Sequence, residues 1–192
     1  MKFFWAIGMI WLSGVGHAGC LKHGVTPTRI VFEDGAVIDG ISRDFNTLHY
    51  TSHPSRTETA TMEALWGIYQ VRSTYKGVAT GYAWNTDALP PPSDLVPGQK
   101  VEHLASSVAA SGDVRSHAFS VRLVEKTEIS VGGCRYPVLL LETRWGTAGG
   151  ARSEGLRWYD PDRLVTWATE IRIFKEDGSL DRELGSQAVS AD

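Results

Sequence analysis

The sequence predicts an all-β, mainly antiparallel fold built from one strongly curved or barrel-like sheet. Apolar residues alternate with polar ones over many short stretches, turn signals rich in Gly and Pro separate these stretches, and helix signals are scarce. About ten strands joined by short turns favour an antiparallel sheet that is closed or strongly curved.

The first half of the chain consists of short strands between turn signals. Alternation and β-branched or aromatic residues predict strands over 29–33, 36–38, 45–51, 57–73 (one or two strands) and 75–84. Asp34-Gly35 and Asp39-Gly40 each predict a hairpin turn. The proline-rich segment 89–98 predicts a loop, because proline removes backbone donors, and we interpret it as a crossover between two halves of one sheet.

Alternation is more regular in the second half. Between 119 and 131 apolar residues recur at odd positions, and an interruption predicts that the stretch folds over near 125–127. Later strands are predicted over 136–143, 152–159 and 164–174. The turns are supplied by Gly132-Gly133, Asp160-Pro161-Asp162 and Asp177-Gly178.

The N-terminus has the order of a cleavable export signal. Lys2 precedes an apolar run over 3–12, and the small residues Gly16 and Ala18 predict cleavage after Ala18. The run is shorter than the about 20 residues that cross a bilayer, and no later segment is apolar enough to do so. A buried N-terminal helix or a permanent anchor is the alternative. We therefore expect a signal peptide over 1–18 and one β-rich extracytoplasmic domain over 19–192.

The two cysteines, Cys20 and Cys134, predict one disulfide in an exported chain, and hence a periplasmic or secreted protein. The alternative is lipidation of Cys20, since Ala18 and Gly19 suit the motif of a lipid-modified cysteine whereas His17 does not. Removal of residues 1–18 lowers Lys+Arg from 19 to 18 against 22 Asp+Glu, so the net charge becomes −4. This balance argues against a nucleic-acid partner.

Two short motifs suggest chemistry that their surroundings do not support. His49 and His53 have the spacing of helical zinc ligands, but they lie in a predicted strand and turn, so we predict no metal site. Ser73-Thr74-Tyr75-Lys76 has the Ser-x-x-Lys pattern of penicillin-recognising enzymes without its helix or partner motifs. No phosphate loop, nucleophile elbow or calcium loop is present, and we predict no cofactor.

Aromatic residues are the most informative remaining feature. On a curved sheet they either line a pocket for an apolar ligand or fill the core. The candidate ligand-binding residues are Trp66, Tyr82, Trp84, Trp145, Trp158 and Trp167.

Three functions follow from these patterns. The first is a non-enzymatic envelope protein that binds an apolar or envelope ligand, or a protein partner. The second is an envelope hydrolase whose site is assembled from distant residues. The third is a purely structural interaction domain with a solid interior. The residues available to a hydrolase, in what the sequence predicts to be a loop-rich middle, are His103, Ser106, Ser107, Asp113 and His117.

Three short segments resemble exported proteobacterial β-rich domains of unknown function. They are Leu95-Val96-Pro97-Gly98-Gln99-Lys100, Val131-Gly132-Gly133-Cys134-Arg135-Tyr136 and Trp158-Tyr159-Asp160-Pro161-Asp162-Arg163-Leu164-Val165. The resemblance implies an envelope location and a curved antiparallel fold with two related halves, and it transfers no catalytic residues. A short internal echo between 66–69 and 155–159 agrees with two related halves.

Overall fold

A computed structural model describes residues 19–55, 57–86, 89–108, 112–147 and 150–192. Its twelve strands form one closed antiparallel barrel in which each strand pairs with the next, so the predicted fold class is confirmed. The strands are β1 Arg29–Phe32, β2 Val37–Asp44, β3 Thr47–Ser55, β4 Glu58–Leu65, β5 Tyr69–Tyr75, β6 Val78–Trp84, β7 Lys100–Val108, β8 Val114–Val131, β9 Cys134–Thr147, β10 Arg152–Asp160, β11 Val165–Phe174 and β12 Leu180–Ala191.

Pairing between β1 and β12 closes the barrel. Ile30 pairs with Ala191, and the backbone N–H groups of Arg29 and Asp192 each donate to the carbonyl of the other at 3.1 Å. Because no sheet edge is left, the backbone donors and acceptors of the first and last strands are satisfied. Alternate residues of every strand therefore face either the interior or the outer surface.

Two predicted turns and one predicted crossover differ from the structure. Asp39-Gly40 lies inside β2, where a bulge between Asp39 and Ser42 and the positive φ of Gly40 (58°) accommodate the irregularity. The segment 89–98 is not a crossover, because it joins the neighbouring strands β6 and β7. The expected fold-over near 125–127 is a bulge between Leu123 and Glu125 within the continuous strand β8.

One end of the barrel, where the turns after the even-numbered strands lie, is filled by packed turns; we call it the closed end. The β4–β5 turn and the β10–β11 turn touch there, and the hydroxyl of Tyr159 donates to the carbonyl of Trp66 at 2.6 Å. A Cβ on Gly67 would lie 1.9 Å from the carbonyl oxygen of Leu164, so this contact requires glycine. The segments 66–69 and 155–159, which resemble each other in sequence, thus meet in the barrel. They are not equivalent parts of two related halves, because the strands follow one another in a simple meander.

The 89–98 loop also covers the closed end. Leu89 and Leu95 are buried, and the carbonyls of Leu89 and Pro90 accept hydrogen bonds from Trp66 Nε1 (3.1 Å) and the Tyr69 hydroxyl (3.0 Å). The loop therefore contributes apolar side chains to the core while its backbone acceptors are satisfied by side chains.

Asp160 organises the β10–β11 turn at this end. Its fully buried carboxylate accepts hydrogen bonds from the backbone N–H groups of Asp162 and Arg163 at 3.0 and 3.1 Å. It also accepts from Arg163 Nη1 at 2.9 Å and from Trp167 Nε1 at 3.1 Å. Four donors thus compensate the desolvation of one buried carboxylate.

The N-terminal segment is fastened to the same turn. The predicted disulfide is present, with the Cα atoms of Cys20 and Cys134 5.5 Å apart. Beside it, Arg163 Nη2 donates to the carbonyls of Leu21 at 3.2 Å and Lys22 at 2.7 Å. The side chain that pairs with Asp160 therefore also holds the segment that precedes the barrel.

We expect Asp160→Asn to destabilise the fold strongly, because it leaves the Arg163 guanidinium buried without its counter-charge. Removal of one partner of a buried pair costs about 3–5 kcal/mol of unfolding free energy. Urea unfolding followed by tryptophan fluorescence measures the loss. Asp181→Asn, at an exposed ion pair of 3.9 Å, is the control and should change the midpoint little. Equal midpoints for both variants would contradict this role of Asp160.

Candidate functional site

An aromatic cluster occupies the interior between the closed end and the opposite end. Phe119 on β8 pairs directly with Trp145 on β9, so both side chains face the same side of the sheet. The Trp145 ring lies 5.8 Å from Phe119, 5.9 Å from Trp84 and 5.5 Å from Tyr82 between centroids. These separations are those of favourable aromatic pairs, so the cluster is a packed surface.

A cavity of about 210 Å³ lies beside this cluster. Its apolar lining consists of Ile68, Phe119, Trp145 and Ile171, and its polar lining consists of Gln70, Thr143, Ser153, Glu154 and Arg157. Most of these positions are neighbours in register, since Ser153 pairs with Trp145 and Gly155 pairs with both Thr143 and Ile171. The combination of apolar walls and a few convergent polar groups is typical of a small-molecule site.

Two charged residues, Arg157 and Glu154, line the cavity, and Glu154 is paired with Arg144 at 3.7 Å and with Arg172 at 3.0 Å. The one hydrogen bond of Arg157 to the described residues runs from Nε to the Thr143 hydroxyl at 3.1 Å, and none of their carboxylates forms an ion pair with it. Burial lowers the pKa of this guanidinium from its ordinary value. Arginine nevertheless stays protonated in proteins, so Arg157 carries a positive charge that forms no ion pair with the described residues.

Tyr50, on β3, interacts electrostatically with Arg157. Burial raises the pKa of its hydroxyl above the ordinary value, and the positive charge of Arg157 opposes that rise. The phenol is therefore neutral at physiological pH and able to donate a hydrogen bond.

Beyond Ile171, strand β11 pairs with β12. Ile171 pairs with Leu184, whose side chain is on the same face and is 48% exposed. One row closer to the closed end, Thr169 pairs with both Arg157 and Ser186. The Ser186 hydroxyl oxygen is buried and has no hydrogen-bond partner among the described residues.

A serine–histidine pair lies further towards the opposite end. Ser107 Oγ and His117 Nε2 are 2.7 Å apart, and the other ring nitrogen of His117 faces the Thr147 hydroxyl at 3.4 Å. The imidazole stacks on Trp145 with centroids 5.0 Å apart. Both members of the pair are buried. The pair resembles two-thirds of a hydrolytic triad, but the third position holds a hydroxyl in place of a carboxylate.

The other hydrolase candidates do not join this pair. His103 and Ser106 lie on β7, and His103 packs edge-on against Tyr69 at 5.9 Å. Its Nε2 is buried and has no partner among the described residues. Asp113 precedes β8. The predicted loop-rich middle is thus wrong: the segment forms the β7–β8 hairpin, and strand alternation places His103 and Ser106 on opposite faces.

The six aromatic candidates fall into three places. Tyr82, Trp84 and Trp145 meet in the interior cluster. Trp66 and Trp167 are at the closed end, where their indole N–H groups donate to Leu89 and to Asp160 respectively. Trp158 lies beside Ala168 in a separate outer groove of about 260 Å³.

A larger groove of about 740 Å³ lies on the outside of β7–β10. It exists because small outward residues such as Ala118 and Gly146 lie between longer side chains. Of its charged groups, Lys100 pairs with Glu102 and Arg144 with Glu154 at 3.7 Å, whereas Arg152 lies over the Phe174 ring. We regard the smaller interior cavity as the better site, because it is the more enclosed of the two and Arg157 there forms no ion pair with the described residues.

Sequence reasoning did not identify Arg157, Thr143 or Ser153. In strand β10, Gly155, Arg157 and Tyr159 alternate along one face, which is therefore neither clearly apolar nor clearly polar. Alternation alone does not predict whether this face lies inside the barrel. Whether Arg157 has an acidic partner depends on which strands surround its side chain in the folded barrel. The absence of such a partner among the described residues is therefore a property of the tertiary structure.

Two further observations concern metals and membranes. His49 and His53 are on β3, and His53 contacts Asp39 at 3.2 Å and Thr59 at 3.3 Å. Within the described ranges, no three His, Cys, Asp or Glu side chains are grouped to hold a metal ion. The same residues include no helix with the length and apolar character needed to cross a membrane.

Comparison with known proteins gives a fold relationship. No family model and no curated protein matches the chain. Among solved structures, it is similar to the hypothetical lipoprotein YmcC from Escherichia coli (K12), with a TM-score of 0.50 and 7% identity over 84% of this chain and 82% of that chain. At this identity the likeness concerns the fold, and it is consistent with the resemblance to proteobacterial domains of unknown function.

We expect the fold to be more stable at pH 7.5 than at pH 5.5. Burial lowers the pKa of His103 and His117 below the ordinary value of about 6.5, and Arg115 adds to the effect at His117. The unfolded chain then binds more protons, so the stabilisation is complete above about 6.5 and is lost as pH falls towards the folded-state values.

Urea unfolding at both pH values measures this dependence, and His103→Gln/His117→Gln should flatten it. An undiminished pH dependence in the double variant would show that other groups cause it.

Proposed function

We propose that this chain is an exported envelope protein that binds a small apolar ligand inside its barrel and is not an enzyme. The interior cavity beside Trp145 is the observation that carries the proposal. A purely structural domain would have a solid interior at this place, because protein cores are close-packed. Of the aromatic candidates, Tyr82, Trp84 and Trp145 form the wall against which the ligand packs.

The cavity volume limits the ligand. An engineered apolar cavity of about 150 Å³ binds benzene, whereas drug-sized ligands occupy roughly 300–1,000 Å³. At about 210 Å³, the cavity suits one ring or a short alkyl chain. A complete phospholipid does not fit, although one end of a longer apolar molecule does.

Export is supported by the N-terminal sequence and by the disulfide. The segment 1–18 has signal-peptide order and lies outside the described residues, and disulfides persist in oxidising compartments. The similar structure is that of a hypothetical lipoprotein, so a lipid anchor on Cys20 is the alternative. The two states exclude each other, because one Cys20 sulfur cannot form both the disulfide and a thioether. We favour the disulfide and a protein released into the periplasm or medium.

Native mass spectrometry of the protein purified from its own envelope tests the proposal. We expect an adduct of a small apolar molecule that is lost on denaturation, together with a chain that begins at Gly19 and contains the Cys20–Cys134 bond. Ser153→Leu fills the cavity and should abolish the adduct. Ser130→Leu, at an exposed position on β8, is the matched control and should retain it.

A chain of unaltered mass in wild-type samples, with no binding of added small apolar compounds, would overturn the ligand-binding proposal. A diacylglyceryl mass on Cys20 would instead overturn the disulfide and make the protein membrane-anchored. The two outcomes are independent, since the anchor and the cavity involve different residues.

A hydrolase is the second candidate, favoured by the 2.7 Å contact between Ser107 and His117. Thr147 occupies the place of the orienting carboxylate, and both members of the pair are buried. We therefore expect no labelling by a serine-directed fluorophosphonate. Labelling of wild-type protein that disappears in Ser107→Ala would make the hydrolase the better function.

A further inference from the structure

The unpaired charge of Arg157 constrains the ligand further. A cation that is partly buried without a counter-charge lowers the stability of the fold, because the hydration that it loses is not replaced. The closed end shows how this chain otherwise treats a buried arginine: Arg163 has Asp160 at 2.9 Å and two backbone carbonyls. Arg157 has only the Thr143 hydroxyl among the described residues.

The geometry of Arg157 suits an oxyanion. Because Nε is bound to Thr143, the guanidinium is oriented, and its two terminal nitrogens are left to donate in parallel to two oxygens. The hydroxyl of Ser153 lines the same cavity. An acceptor placed beside Arg157 therefore meets donors from both side chains, whereas the Glu154 carboxylate, which also lines the cavity, is paired with Arg172 at 3.0 Å.

We propose that the ligand is a small amphipathic anion, a monocarboxylate whose carboxylate binds Arg157 and whose short apolar body packs against Trp145 and Phe119. The inference rests on the proposed function, since it names the chemical class of the molecule that occupies the same cavity. The volume of about 210 Å³ selects a short chain or a single ring attached to the carboxylate.

Isothermal titration calorimetry with hexanoate and 1-hexanol tests the proposal, because the two probes share the apolar chain and differ in charge. We expect wild-type protein to bind hexanoate roughly tenfold or more tightly than hexanol, the range of one charged hydrogen-bonded contact. Arg157→Met should remove this preference and leave hexanol binding intact. Arg157→Lys should retain part of it.

Arg135→Met is the control, since Arg135 on β9 is 80% exposed and pairs with Glu128 at 3.9 Å, away from the cavity. It should bind both probes like the wild type. We also expect Arg157→Met to unfold at a higher temperature than the wild type, because an unpaired, partly buried charge is removed. A purely structural Arg157 predicts the reverse.

The two proposals fail in different ways. Equal affinity of wild-type protein for hexanoate and hexanol would overturn the carboxylate and leave apolar binding standing. If Arg157→Met binds hexanoate as tightly as the wild type, the carboxylate proposal is also overturned and apolar binding still stands. Absence of binding by both probes would overturn apolar binding as well. Comparison of the probes on wild-type protein decides the matter even if Arg157→Met does not fold.

Discussion

The carboxylate of Asp160 accepts two backbone hydrogen bonds, one from the Arg163 guanidinium and one from the Trp167 indole, all inside the barrel end. This interaction fixes the β10–β11 turn, and Arg163 then reaches the chain beside Cys20. Because Tyr159 binds the neighbouring β4–β5 turn, the same cluster also joins turns distant in sequence. The closed end is therefore held by directed bonds as well as by apolar packing.

The interior changes character along the barrel axis. Near Asp160, the buried carboxylate has four donors, and Trp167 is fully buried with its indole N–H bound to that carboxylate. Around Trp145 the walls separate, a cavity remains, and Arg157 lacks an acid partner among the described residues. Proteins commonly accept such a local loss of stability where a ligand binds. The contrast between the two arginines is the strongest reason to place the function in the middle of the barrel.

Strand alternation and turn residues predicted the antiparallel curved sheet, and the cysteine count predicted the disulfide, because both depend on local pattern or on composition. Asp39-Gly40 misled because a bulge and a hairpin turn use the same positive-φ residues. The aromatic candidates were predicted as one set, yet Trp145 lines the cavity whereas Trp167 fills the closed end. Arg157 escaped detection because its isolation depends on which walls of the barrel meet, and no spacing along the chain encodes that.

Fluorine NMR of protein labelled with 5-fluorotryptophan tests most directly whether a ligand enters the barrel beside Trp145. Each resonance is assigned by a Trp→Phe variant, and 1-hexanol is titrated as a neutral apolar probe. The structure predicts that the Trp145 resonance shifts with saturation, while that of Trp167 stays constant because its ring is sealed at the closed end. A constant Trp145 resonance together with a shift of Trp158, on the outer surface, would contradict an interior site and move binding to the outside of the barrel.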